Sequence, residues 1–144
     1  FDEITQVNLR SAFAVIRAFR PLLELSPNAA IINIGSLAGR TGVGSNLAYS
    51  AAKGGLHTLT MGLARVLSPR IRVFTVSPGG VDTQFVKSRD PAKMIHNATV
   101  TPLRKVTSPD SVAESVLACA ALMNSSTGIE IIVDEGRHLI GWPL

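Results

Sequence analysis

One cysteine, Cys119, stands in 144 residues. An intrachain disulfide and a cysteine metal cluster are therefore excluded, and no metal site is expected. No apolar run approaches the ~18 residues that a membrane-spanning helix needs, so no membrane partner is expected. Charge is sparse. Fourteen basic and ten acidic residues leave a net charge of +4 in a chain only 17% charged. The basic residues, Arg10, Arg40 and Arg72 among them, are scattered rather than blocked, which argues against nucleic acid as a partner. No signal-peptide pattern follows Phe1, and a reducing, cytoplasmic setting is the default expectation.

What is present is a core-forming composition, 46% hydrophobic, of a length that suits one domain. The informative stretch is 36–53, SLAGRTGVGSNLAYSAAK. Tyr49 and Lys53 stand at i and i+4, on one helix face about one turn apart. An ammonium beside a phenol favours the phenolate, which suits a proton donor and acceptor near neutral pH. A serine hydroxyl at Ser36, brought in from a neighbouring strand end, can hydrogen-bond a substrate carbonyl oxygen. The three groups suit carbonyl reduction or alcohol oxidation, provided another group supplies the hydride. Tyr-x-x-x-Lys alone is common and reads as a surface helix pair. The serine spacing, the glycine-rich loop between, and Asn8 upstream give it meaning.

The rest of the chain alternates helix and strand. Residues 1–25 read as a helix, with Ile4, Phe13, Ile16, Phe19 and Leu23 at three- and four-residue steps. Pro21 should kink or end it. By itself a mid-helix Asn8 is a solvated or backbone-tied residue. Ala29–Ile34 is nearly continuously apolar, as in a strand buried on both faces of a parallel sheet. Residues 35–46 read as a loop with four glycines, so Ser36 falls just past a strand end, where open α/β sheets bind ligands. Leu47–Leu67 is the second helix, with Ser45 or Asn46 as cap. His57, one turn past Lys53, is left outside the site. A second strand covers 71–76, followed by Ser77-Pro78-Gly79-Gly80 at its C-terminal end. Residues 82–107 show no clean period, and neither Met94 nor His96 is assigned to the site. Ser108-Pro109-Asp110 is a strong start for a helix running to about 123, in which Cys119 reads as a small buried hydrophobe. Ile129–Val133 is the third strand. The glycines at 35, 39, 42 and 44 do not give G-x-G-x-x-G, and the next strand ends without an acid for a ribose hydroxyl. The loop is therefore not read as a dinucleotide-phosphate loop.

Asn8 in VNLRSAF, Ser36 in INIGSLAG, and Tyr49 and Lys53 in YSAAKGG match one pattern. Together with SPGGVDTQF and TGIEIIVDEG, they make the chain resemble the short-chain dehydrogenase/reductase family over nearly all of its length. The resemblance covers that family's C-terminal half. It implies an α/β fold with a Rossmann-like doubly wound parallel sheet, incomplete here at three strands and three main helices. Residues 1–144 would then be the C-terminal part of a single NAD(P)-binding domain. It implies NAD or NADP as cofactor and a small carbonyl/alcohol substrate. Asn8, Ser36, Tyr49 and Lys53 would be catalytic, with Asn8 holding a water near the Lys53 ammonium. Tyr49, Lys53, Pro78, Gly79, Val81 and Thr83 would contact the cofactor. It also implies a lid over substrate within 82–107, and a homodimer or homotetramer through helices 1–25 and 47–67. Glu135 stands where the family most often has glycine.

The family's Thr-Gly-x-x-x-Gly-x-Gly and Asn-Ala-Gly segments do not occur in these residues. A three-stranded sheet ending at Ala29–Ile34 would leave an apolar edge open. The expectation is part of a larger enzyme. The alternative is a catalytically silent module that keeps only the oligomer-forming helices.

Overall fold

A computed structural model describes residues 1–81 and 98–140. The chain opens in helix: Asp2–Thr5 (α1), a π-helical turn over Gln6–Arg10, then Ser11–Leu23 (α2), with helical backbone at each junction. The π turn, which contains Asn8, was not legible as such, because it changes the hydrogen-bond step without changing the residue types. Pro21 does not break the helix at its own position, and α2 runs two residues beyond it to Leu23. At the exposed last turn, the one hydrogen bond that proline removes is readily replaced by water.

Ala29–Ile34 (β1), Ile71–Pro78 (β2) and Ile129–Val133 (β3) form a parallel sheet in the order β1-β2-β3, with Ile31 beside Val73 and Val76 beside Ile131. A four-residue helix, Ala38–Thr41 (α3), interrupts what reads in sequence as an unbroken loop. Leu47–Leu67 (α4) and Pro109–Ala121 (α5) complete the main elements. The caps form as the sequence indicates. Asn46 Oδ1 accepts from the Tyr49 amide at 2.8 Å, and Ser108 Oγ accepts from the Ser111 amide at 3.1 Å. Such a cap contributes about 1 kcal/mol.

The sheet is covered on both faces. Ile31, Ile71 and Val73 pack with Ile16 of α2 and with Ala64 and Leu67 of α4. Phe74 and Val76 pack on the other face against Cys119 of α5, with Ile32, Val116 and Ile131 around them. This side-to-side alternation along β2 is why the strand reads as continuously apolar. Arg72, at the start of β2, donates to the carbonyls of Cys119, Ala120 and Met123 at 2.8, 3.0 and 3.0 Å, and to Asn28 Oδ1 at 2.8 Å. One guanidinium thus closes the C-terminal end of α5 onto the sheet.

Among the described residues β1 pairs on one side only, and Ile34 at its end is 45% exposed. Phe13 and Phe19 also face outward, so Ile16 and Leu23 are the positions of that apolar series that reach the sheet. Glu135 adopts φ +58°, the left-handed region that glycine occupies without strain. No helix among the described residues is long and apolar enough to cross a membrane.

Candidate active site

The site is built at the C-terminal ends of β1 and β2. Past Ile34 the chain stays on β2 for three more residues: the Gly35 amide donates to the Val76 carbonyl at 2.8 Å, and the Leu37 amide to the Pro78 carbonyl at 3.0 Å. Gly35 is required there, since a Cβ would lie 2.3 Å from Ser77 Oγ. Between these two anchors Ser36 is held half-buried. Its Oγ accepts from the Ala38 amide at 3.2 Å and so starts α3. With an acceptor lone pair engaged, the hydroxyl proton is left to point outward as a donor.

Tyr49 sits in the first turn of α4, its own amide held by the Asn46 cap. Ser36 and Tyr49 line one cleft of about 330 Å³ with Leu37, Thr41, Val43, Pro78, Gly79, Gly80 and Arg137. Lys53 follows one turn on. Its Nζ lies 5.7 Å from the Tyr49 ring centroid and donates to the Ile34 carbonyl at 2.9 Å. Burial lowers the Lys53 pKa from its ordinary value, because desolvation penalises the ammonium.

The structure brings Ser36, Tyr49, Pro78 and Gly79 together on the cleft, with Lys53 against the Tyr49 ring. Asn8 lies outside the cleft lining, and its side-chain amide donates to the Ile4 carbonyl one turn back at 3.1 Å. The π turn that holds it packs on α4, where Leu9 meets Gly55. A Cβ on that glycine would come within 2.9 Å of Leu9 Cδ2. Val81 forms a single parallel bridge with Thr107. Thr83, and the part of the expected lid that includes Met94 and His96, lie outside the described residues.

Pro78-Gly79-Gly80 is braced from below. The Gly79 amide donates to the Val133 carbonyl at 2.9 Å, and a Cβ on Gly79 would collide with Asp134 Cβ at 2.6 Å. The carboxylate of the buried Asp134 accepts from the amides of Gly136 and His138 and pairs with His138 Nδ1 at 2.9 Å. This fixes the turn after β3 against the cleft wall.

The family described as enoyl-(acyl carrier protein) reductase matches residues 1–138. The chain belongs to the short-chain dehydrogenase/reductase family. It is 38% identical over 132 residues to the short-chain dehydrogenase/reductase homolog YusR of Bacillus subtilis, covering 91% of this chain and all of that protein. It is 30% identical to the rhamnolipids biosynthesis 3-oxoacyl-[acyl-carrier-protein] reductase of Pseudomonas aeruginosa, over 96% of this chain and 58% of that one. A solved 3-oxoacyl-[acyl-carrier protein] reductase from Brucella melitensis superposes with a TM-score of 0.83 at 30% identity. That match covers 94% of this chain and 53% of the other. Apart from the B. subtilis homolog, the chain spans about half the length of most curated relatives it matches.

Two features around the cleft of this short-chain dehydrogenase/reductase chain were not expected from the sequence. Arg137 reaches the cleft wall from the turn after β3. Glu130, the second residue of β3, has its side chain only 6% exposed and is tied to Ser77 and Arg40. The signal for the second was available: an acid inside the apolar run IEIIV must either face water or find partners.

Proposed function

We propose that this chain carries the catalytic residues of an oxidoreductase that transfers a hydride between NAD(P)(H) and a small carbonyl/alcohol substrate. It would correspond to the C-terminal part of one NAD(P)-binding Rossmann-like domain. The observation that carries this reading is that Ser36 and Tyr49 open onto one cleft walled by Pro78-Gly79-Gly80. This arrangement favours an enzyme over a catalytically silent module.

The Pro-Gly-Gly wall suits a flat nicotinamide ring. A Cβ on Gly80 would meet nothing within 4 Å, so backbone can approach a ring there. When bound, the nicotinamide supplies or accepts the hydride. The Ser36 hydroxyl donates a hydrogen bond to the substrate oxygen and orients it, keeping its own proton. In reduction, Tyr49 gives its proton to that oxygen as the carbonyl carbon gains the hydride; in oxidation it takes the proton back. The Lys53 ammonium stabilises the negative charge that develops on the Tyr49 oxygen. It carries three donors, of which Ile34 takes one, and ribose hydroxyls suit the others. The Asn8 amide bonds the Ile4 carbonyl within its own helix, and its role of holding a relay water near Lys53 rests on the family resemblance. Val81 and Thr83 would, as the family resemblance implies, contact the cofactor.

Phe13, Val15 and Phe19 of α2 and Leu47 and Val66 of α4 are exposed apolar side chains. They support assembly of a homodimer or homotetramer through these helices. The substrate to try first is a 3-oxoacyl thioester, the class named in the P. aeruginosa and B. melitensis relatives.

The test is Tyr49→Phe in the native protein, assayed by NAD(P)H oxidation against a carbonyl panel headed by that thioester. Loss of the proton donor should lower kcat about 100-fold or more, with cofactor binding and thermal unfolding near wild type. Turnover within a few-fold of wild type would refute the assignment.

A further inference from the structure

We propose that Glu130 is a positioning residue for the Ser36 turn, a role that rests on the oxidoreductase reading of the site. Glu130 lies in β3, facing α4, with Ile129, Ile131 and Ile132 as its neighbours in the strand. Its carboxylate touches three other elements. Oε1 accepts from Ser77 Oγ of β2 at 2.6 Å, Oε2 accepts from Arg40 Nη1 of α3 at 2.9 Å, and His57 Nδ1 of α4 is 3.9 Å from Oε2. No hydrogen bond to the buried His57 Nδ1 forms among the described residues.

Each contact bears on the turn. Ser77 Oγ is the atom directly beneath Gly35, so its direction sets where the chain leaves β1 just before Ser36. Arg40 is two residues past Ala38, whose amide holds Ser36 Oγ, and its guanidinium fixes the far end of that one-turn helix. A helix of four residues has too few internal hydrogen bonds to hold itself. Its place comes from the Leu37–Pro78 backbone bond at one end, the packing of Gly39 on the Lys53–Gly54 backbone, and the Arg40–Glu130 pair at the other end. A buried carboxylate is a poor source of net stability, since desolvation offsets most of the attraction to its partner. An apolar residue would fill the position in a strand of isoleucines more simply. What the carboxylate adds is direction: two oxygens aimed at two elements that flank Ser36.

The experiment compares wild type, Glu130→Gln and Arg40→Met in the native protein, by amide hydrogen exchange and by steady-state kinetics. Glu130→Gln keeps size and an acceptor for Ser77 but removes the charge that holds Arg40. Exchange at the amides of Leu37, Ala38 and Gly39 should speed up about tenfold in both variants, while Val73 and Val76 keep wild-type protection. Turnover of the carbonyl substrate should fall about tenfold in kcat, with KM for the cofactor unchanged. Wild-type exchange at Leu37 to Gly39 overturns the proposal. So does faster exchange with unaltered kcat, which would mark a local structural contact that catalysis does not feel. A wild-type protein without turnover on any carbonyl counts against the oxidoreductase reading instead, and the exchange result alone then decides whether Glu130 holds the turn.

Discussion

Gly39 rests directly on the backbone of Lys53. A Cβ on Gly39 would lie 2.5 Å from the Lys53 carbonyl carbon and 2.5 Å from the Gly54 amide nitrogen. The turn that carries Ser36 is thereby seated on the backbone of the helix that carries Tyr49 and Lys53. Gly39→Ala should force the two apart, because backbone atoms cannot rotate away as a side chain would. A loss of about 1–3 kcal/mol of stability is expected, with a fall in kcat as Ser36 and Tyr49 separate. Thermal unfolding and steady-state kinetics of the variant check both. Unchanged behaviour would mean that α3 is not seated where the structure has it.

The lowered pKa of Lys53 has a definite sign in stability. The unfolded chain keeps its lysine proton up to the ordinary value of 10.5, while the folded chain releases it earlier through desolvation. Between the two values the unfolded state binds more protons, so stability rises with pH across that window. The contribution is full above 10.5 and is lost as pH falls through the lowered folded value. Chemical denaturation of wild type and Lys53→Met at a series of alkaline pH values isolates it. The difference, wild type minus variant, should climb with pH just below 10.5. A flat or falling difference would contradict the burial of the ammonium.

Arg72 offers a test of what closes the far face. Its guanidinium serves three carbonyls at the end of α5 as well as Asn28, and lies 5.7 Å over the Phe74 ring. Arg72→Met keeps the packing of the stem but strips the last turn of its cation and donors. The expected cost is about 2 kcal/mol, read as a lower urea midpoint with an unchanged slope. Cofactor binding should not move, since Arg72 sits at the opposite end of the strands from the cleft. A midpoint equal to wild type would show that water replaces the guanidinium at no cost.

The sequence by itself determined the elements whose causes are local. The β-branched, largely apolar runs Ala29–Ile34 and Ile129–Val133 read as strands, and both form strands of the parallel sheet. Asn46 caps α4 and Leu67 ends it where the residue types say they should. The helical repeat alone puts Tyr49 and Lys53 on one face. Tertiary structure decided whatever depends on residues far apart in the chain. The Arg40–Glu130 pair spans 90 positions, and no local pattern announces which distant partner a buried acid will take. The same holds for Arg137 in the cleft wall and for the single turn of α3 inside a glycine-rich loop. Asn8, by contrast, is tied locally: its amide bonds the Ile4 carbonyl one turn back, as a mid-helix asparagine does by itself, although the π turn around it is not legible in composition. Local propensity chooses a residue's backbone state. Which side chains then meet is fixed only when the sheet and its two helical layers close around them.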